Sequence, residues 1–252
     1  MRACVLTLTI TGLWLCGLAH AQGGPPLLTD DPGTPGDRQW EINLAATTEK
    51  HDGTWDMELP DADLNYGLGE HIQLNFEMPW LVRTGEGAAQ TEAGDGSVAV
   101  KWRVVDEEKR GLDVSIYPRL TYNSPGPRRL VERGSQFLLP VELARSYGKL
   151  SLNFEAGYNF RQDAQDEVTL GMAAGYEATH GLELLAELHT EALRSFHENE
   201  SVFQVGGREK LSEHLVLLFA AGRAVFGSTA DQPGFLAYAG LQLLLGHSSH
   251  HK

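Results

Sequence analysis

Cysteine is nearly absent. The 252-residue chain holds two, Cys4 and Cys16, and both lie in an N-terminal apolar run that reads as a segment to be removed. A mature chain without cysteine has neither a disulfide nor a thiolate metal site. Long apolar runs are lacking as well. The run from Val5 to Leu18 is too short and too early for a membrane anchor, and no later segment reaches the roughly 18 to 20 apolar residues of a spanning helix. Arg2 before the run and Ala19-His20-Ala21 after it give residues 1–21 the form of a secretory signal peptide. Leu15 is bulky where a lipobox needs a small residue, so Cys16 is not expected to carry lipid.

Basic charge is also scarce. Lys and Arg number 20 against 34 Asp and Glu, and loss of Arg2 with the signal moves the net charge from −14 to −15. Phosphate binding needs a basic footprint, so nucleic acid is excluded as a partner. There is no phosphate-binding Gly loop, no dinucleotide fingerprint and no Gly-x-Ser-x-Gly elbow, so no cofactor and no catalytic residues are expected. His247, His250 and His251 read as a polar tail, residues 247–252, without a second shell to hold a metal.

What the chain does have is alternation. In Leu68–Trp80, Ile72, Leu74, Phe76, Met78 and Trp80 alternate with Gln73, Asn75, Glu77 and Pro79, the period-2 mark of a strand with two unlike faces. The same pattern recurs, for example at Val98, Val100, Trp102 and Val104, at Leu139, Val141 and Leu143, and at Leu182, Leu184, Ala186 and Leu188, and yields twelve candidate strands. Before them, residues 22–37 form a Pro/Gly-rich leader that can be neither helix nor interior strand.

The connections alternate too. Long polar loops are expected at 50–53, 83–96, 123–135, 161–167, 195–201 and 227–234, and tight turns at 67–70, 106–111, 145–148, 177–181 and 210–213. Long loops at one end and short turns at the other are the transmembrane-barrel arrangement. The expectation is an all-β fold: an antiparallel up-and-down transmembrane β-barrel of about 12 strands over residues 38–246, exported to the outer membrane and surrounded by its lipid. A soluble sandwich would show the same alternation with its apolar faces meeting in a core.

Leu27-Leu-Thr-Asp-Asp-Pro-Gly-Thr-Pro-Gly36 followed by Trp40-Glu-Ile-Asn43, the Tyr66-Gly-Leu-Gly-Glu-His-Ile-Gln-Leu…Pro79-Trp80 hairpin, and Gly206-Gly-Arg-Glu-Lys-Leu-Ser-Glu-His-Leu resemble the bacterial outer-membrane β-barrels of the MetA-pathway of phenol degradation family. The resemblance implies a Gram-negative outer-membrane barrel that transports small solutes, aromatic or other hydrophobic molecules among them. The tail lacks the terminal aromatic with which many such barrels end.

If apolar faces look outward, the alternate positions look into the lumen. Acidic Glu41, Glu77, Glu142, Glu155 and Glu187 then face basic Lys101, Arg103 and Arg119, with His189 beside Glu187. Such charges need water or opposite partners, so they either set selectivity or fill the barrel as ion pairs. Asp30 and Asp31 either fold back as an anionic plug or simply start a turn through their side chains, the second being preferred. Besides a channel, two functions remain open: a structural barrel with a blocked lumen, and a membrane-embedded lipid hydrolase using His189 with a nearby carboxylate.

Overall fold

The computed structural model describes residues 24–246, except 86, 127, 132, 133 and 228–231. The expected signal, the first two leader residues and the His-rich tail lie outside the described residues.

The chain forms fourteen strands and one short helix: β1 (Trp40–His51), β2 (Thr54–Leu68), β3 (Ile72–Thr84), β4 (Gln90–Ala93), β5 (Gly96–Val105), α1 (Glu107–Arg110), β6 (Asp113–Ile116), β7 (Arg119–Tyr122), β8 (Gln136–Tyr147), β9 (Leu150–Arg161), β10 (Glu167–Glu177), β11 (Leu182–Leu193), β12 (Asn199–Lys210), β13 (Leu215–Gly227) and β14 (Phe235–Leu245). Neighbours pair antiparallel, β3 pairs past β4 with β5, and β1 pairs with β14 from Trp40–Leu245 to Lys50–Phe235, which closes the sheet. β6 and β7 occupy one wall position between β5 and β8. The result is the expected twelve-strand barrel, with β4 as an extra rim strand on β3.

Three local departures have physical causes. The strand expected over 112–122 is split at Tyr117-Pro118, because proline has no N–H for the ladder. The Tyr117 N–H reaches the Pro140 carbonyl instead, at 3.2 Å. The loop expected at 50–53 is only Asp52-Gly53, since β1 and β2 pair up to His51–Thr54 and Gly53 takes φ +90°. Strand ends likewise run into the other expected loops, so the segments 85–95 and 123–135 supply most of the length difference between the two ends. Among the short turns, 106–112 contains α1. There the hydrogen bond from Lys109 Nζ at 2.6 Å, aided by His71 and Arg103, holds the Asp106 carboxyl below the usual carboxylate range.

The barrel is inside-out. Along β5, Trp102 is 56% exposed and its neighbour Lys101 2%. On β10, Leu170 and Met172 point outward and Thr169 inward, and β3, β9, β12 and β14 repeat the pattern. The fully buried side chains include Glu142, Glu187, Asn43, Asn153 and Ser115. Leu27, Ala173 and Leu185 form a small apolar cluster in this polar interior. A soluble sandwich would put its large apolar side chains inside, at a gain of about 1.5–3 kcal/mol each. Here they form an outer belt suited to lipid.

Candidate functional site in the barrel lumen

The leader does not stay outside the barrel. The Arg38 N–H donates to the Gly67 carbonyl and the Gly67 N–H to the Gln39 carbonyl, both at 2.9 Å, at the short-turn end of β2. From there residues 36 back to 24 turn into the lumen. Gly67 is required at the entry, because a Cβ there would lie 1.7 Å from the Gly36 carbonyl oxygen. Inside, residues 24–29 close on themselves through Gly24 N–H to Thr29 O at 2.9 Å and Leu27 N–H to Gly24 O at 3.0 Å.

The leader backbone has no strand to pair with, so its polar groups need partners in the wall. The Leu28 and Thr29 N–H groups donate to the two carboxylate oxygens of Glu187, each at 2.8 Å. The Asp30 N–H donates to Glu155 at 2.9 Å. Arg208 Nη2 donates to the Pro25 carbonyl at 2.8 Å and the Gly24 carbonyl at 3.1 Å. Lys101 Nζ donates to Asp30 Oδ1 at 2.8 Å and to the Asp31 carbonyl, and lies 3.6 Å from Glu142. It also sits 4.5 Å from the Tyr117 ring centroid, with the Arg119 guanidinium 5.0 Å from the same ring. Glu142 in turn accepts from Ser115.

Small wall residues make room for this fit. Leu27 rests on Ala173 and Leu185, and a Cβ on Gly171 would lie 2.4 Å from Thr29 Oγ1. Thr29 Oγ1, His189 Nδ1 and Glu191 follow one another at 3.4 and 3.6 Å in the order of a hydrolytic triad. Thr29 is fully buried, so no substrate carbonyl reaches its hydroxyl. This chain of groups fastens the leader to the wall.

The opposite wall, β14 and β1–β3, is not covered. Between it and the leader lies a cavity of about 1030 Å³. Its lining begins with Glu70 and Arg103 at the short-turn rim and ends with Glu49, Asp56 and Arg83 near the long-loop rim. Leu130 and Val131, from the segment 123–135, also line it. That segment is held over the rim by the two 2.9 Å bonds from Arg128 to Asp95 and by the Arg129 and Leu130 N–H groups on Glu92 at 3.0 and 2.7 Å.

On this wall stand Glu41, Glu58, Asp61, Asp63 and Glu77. Their hydrogen bonds come from neutral groups. Asp63 accepts from Asn43 at 2.8 Å, from Asn65 at 3.0 Å and from Asn75 at 2.5 Å. Glu58 accepts from Thr47 at 3.2 Å and Glu77 from Ser97 at 3.4 Å.

The structure thus divides the lumen residues expected from sequence. Glu41, Glu77, Arg103 and Arg119 line the cavity; Glu142, Glu155, Glu187 and His189 stand on the side that holds the leader; Lys101 does both. Asp30 and Asp31 lie in the lumen, yet the Asp31 carboxylate also accepts from the Gly33 N–H in the local turn, so the turn and the lumen position coexist. Sequence reasoning missed Glu58, Asp61, Asp63 and Arg208. The alternation Asp61-Ala62-Asp63-Leu64-Asn65 would have found two of them, but the register shift between Glu58 and Asp61, around Pro60, breaks the period upstream.

No protein-family model matches the chain, and no curated protein matches it. Solved structures do. An outer-membrane channel from Pseudomonas putida F1 is 12% identical, with a TM-score of 0.68 over 89% of this chain and 100% of that one. The KdgM porin, 12% identical, matches 81% of this chain and 99% of its own with a TM-score of 0.55. The NanC porin, 10% identical, matches 81% of this chain and 100% of its own at 0.57. At these identities the likeness establishes the fold: this chain is built like the barrels of outer-membrane channels and porins.

Proposed function

We propose that this chain is an outer-membrane channel of a Gram-negative cell, exported by the signal at residues 1–21, that passes small solutes between its acidic wall and its leader. The observation that carries the reading is a cavity whose lining runs from the short-turn rim to the long-loop rim. A water-filled path lined by fixed charges selects by charge and size. The leader, with Asp30 and Asp31 inside the lumen, acts as a partial plug: it fills one side of the lumen and leaves the other. The sequence resemblance to the MetA-pathway of phenol degradation family adds aromatic molecules to the solutes worth trying.

The test is recording from the mature protein in planar bilayers, on samples whose folding is shown by heat-dependent gel migration. Discrete conductance steps are expected. Folded protein that never conducts would contradict the proposal and favour the structural barrel, a reading supported by the leader filling the lumen beside β8–β12.

A further inference from the structure

Among the described residues the cations of the lumen make their direct contacts elsewhere than on Glu58, Asp61, Asp63 and Glu77, although the Arg119 charge acts on Asp61, Asp63 and Glu77 from a distance. Lys101 is engaged by Asp30, the Asp31 carbonyl and Glu142. Arg208 is engaged by leader carbonyls and by Glu183 at 3.6 Å. Arg119 stacks on Tyr117 and lies 3.7 Å from Asp30. Asp56 of β2 is held by Arg83, whereas Glu58, Asp63 and Glu77 accept hydrogen bonds from amide and hydroxyl donors only.

Among the described residues, two buried acceptors of β2 and β3 that line the cavity have no donor. Asp61 is 8% exposed, lines the cavity, and its Oδ1 accepts no hydrogen bond. Asn75, 7% exposed and also lining the cavity, gives its Nδ2 protons to Asp63 and Asn65, which leaves its Oδ1 without a donor. Buried acceptors in this state cost free energy unless a donor arrives from solution. Charge and acceptor chemistry together call for a cationic donor.

The arrangement also bears on which cation. Among the described residues, no three acidic or imidazole groups are placed to hold one metal ion together. The carboxylates are instead strung along the strands. Asp61 and Asp63 share one face of β2, Asp63 is the direct cross-strand partner of Glu77, and Glu58 continues the row past the bulge. At the rise of an extended strand the row is roughly 15 Å long. An alkyl chain bearing several ammonium groups matches such a row, each –NH3+ offering three donors.

From this geometry we infer that the β1–β3 wall is a binding site for solutes bearing ammonium groups, with Asp61, the Asp63–Glu77 pair and Asn75 accepting from successive ammonium groups along the row. This rests on the channel reading for its purpose, but not for its test. Full-length mature protein, folded in detergent micelles, is titrated calorimetrically with spermidine at low ionic strength. Asp61→Asn and Glu77→Gln are each expected to weaken binding about tenfold, the loss of one charge-assisted contact. Glu198→Gln, on an exposed rim loop, is expected to bind as the parent does. Heat-dependent gel migration checks each variant, and the parent titration repeated at high salt, where binding must weaken, stands if a variant does not fold.

The inference is overturned if the parent does not bind spermidine, if both wall variants bind unchanged, or if calcium binds where spermidine does not. A barrel that binds spermidine but never conducts would refute the channel and keep the site; one that conducts but does not bind would do the reverse.

Discussion

The two sides of the lumen are built from the same alternating strands but treat their buried polar groups differently. Along β5 and β9–β12, Lys101, Glu155, Glu187 and Arg208 are matched by a folded segment of the same chain, and Glu142 on β8 is matched by Lys101 and Ser115 of the wall. Along β1–β3, Glu58, Asp61, Asp63 and Glu77 face the cavity, and the hydrogen bonds that Glu58, Asp63 and Glu77 accept come from neutral groups. A closed barrel has no apolar core to hold its shape, so the ladder and the lumen contacts do that work. The leader side shows how a folded segment takes up the charged groups of a lumen wall, and the bare side is where function is to be sought.

The largest effect should come from removing the difference. Deletion of residues 24–37 exposes Lys101 and Arg208 and widens the path. Single-channel conductance is expected to rise roughly threefold, with the preference between cations and anions weakened. Unchanged conductance would show that the leader does not sit in the lumen.

Breaking the clamp from the wall should come next. Lys101→Met leaves Glu142 buried without its cation and Asp30 with only the more distant Arg119, a loss of about 3 kcal/mol. It should lower the urea concentration at which the barrel loses its heat-dependent gel shift, and make the leader sensitive to added protease. The apolar contact is smaller: Leu27→Ala should loosen the leader by about 2 kcal/mol, read as a modest increase in protease cleavage within residues 24–37. Smallest is Gly171→Ala, whose new methyl meets Thr29. A shift of the leader at a cost of about 1 kcal/mol is expected, visible as faster hydrogen exchange at Leu28 and Thr29 with little change in the barrel strands.

The barrel was legible because alternation is local: Val98-Val100-Trp102 declares its outward face without reference to any other strand. The cavity wall was half legible. Glu41 and Glu77 follow from the period, and Asp61 and Asp63 follow from the alternation after Pro60, whereas Glu58 lies on the far side of the bulge that shifts the phase of β2. The leader's place was not legible. Its contacts join residues as far apart as Leu28 and Glu187, or Pro25 and Arg208, and nothing in Thr-Asp-Asp-Pro distinguishes a surface turn from one held by carboxylates across a lumen. Gly171 shows the same limit: a glycine in a strand signals a close approach, but not of what.

The most direct measurement of the central claim is the reversal potential of single channels in a potassium chloride gradient. An acidic wall bordering the open path predicts a preference for potassium over chloride, abolished in the triple variant Asp61→Asn, Asp63→Asn, Glu77→Gln. Preference for chloride in the parent, or cation selectivity that survives the triple substitution, would contradict it.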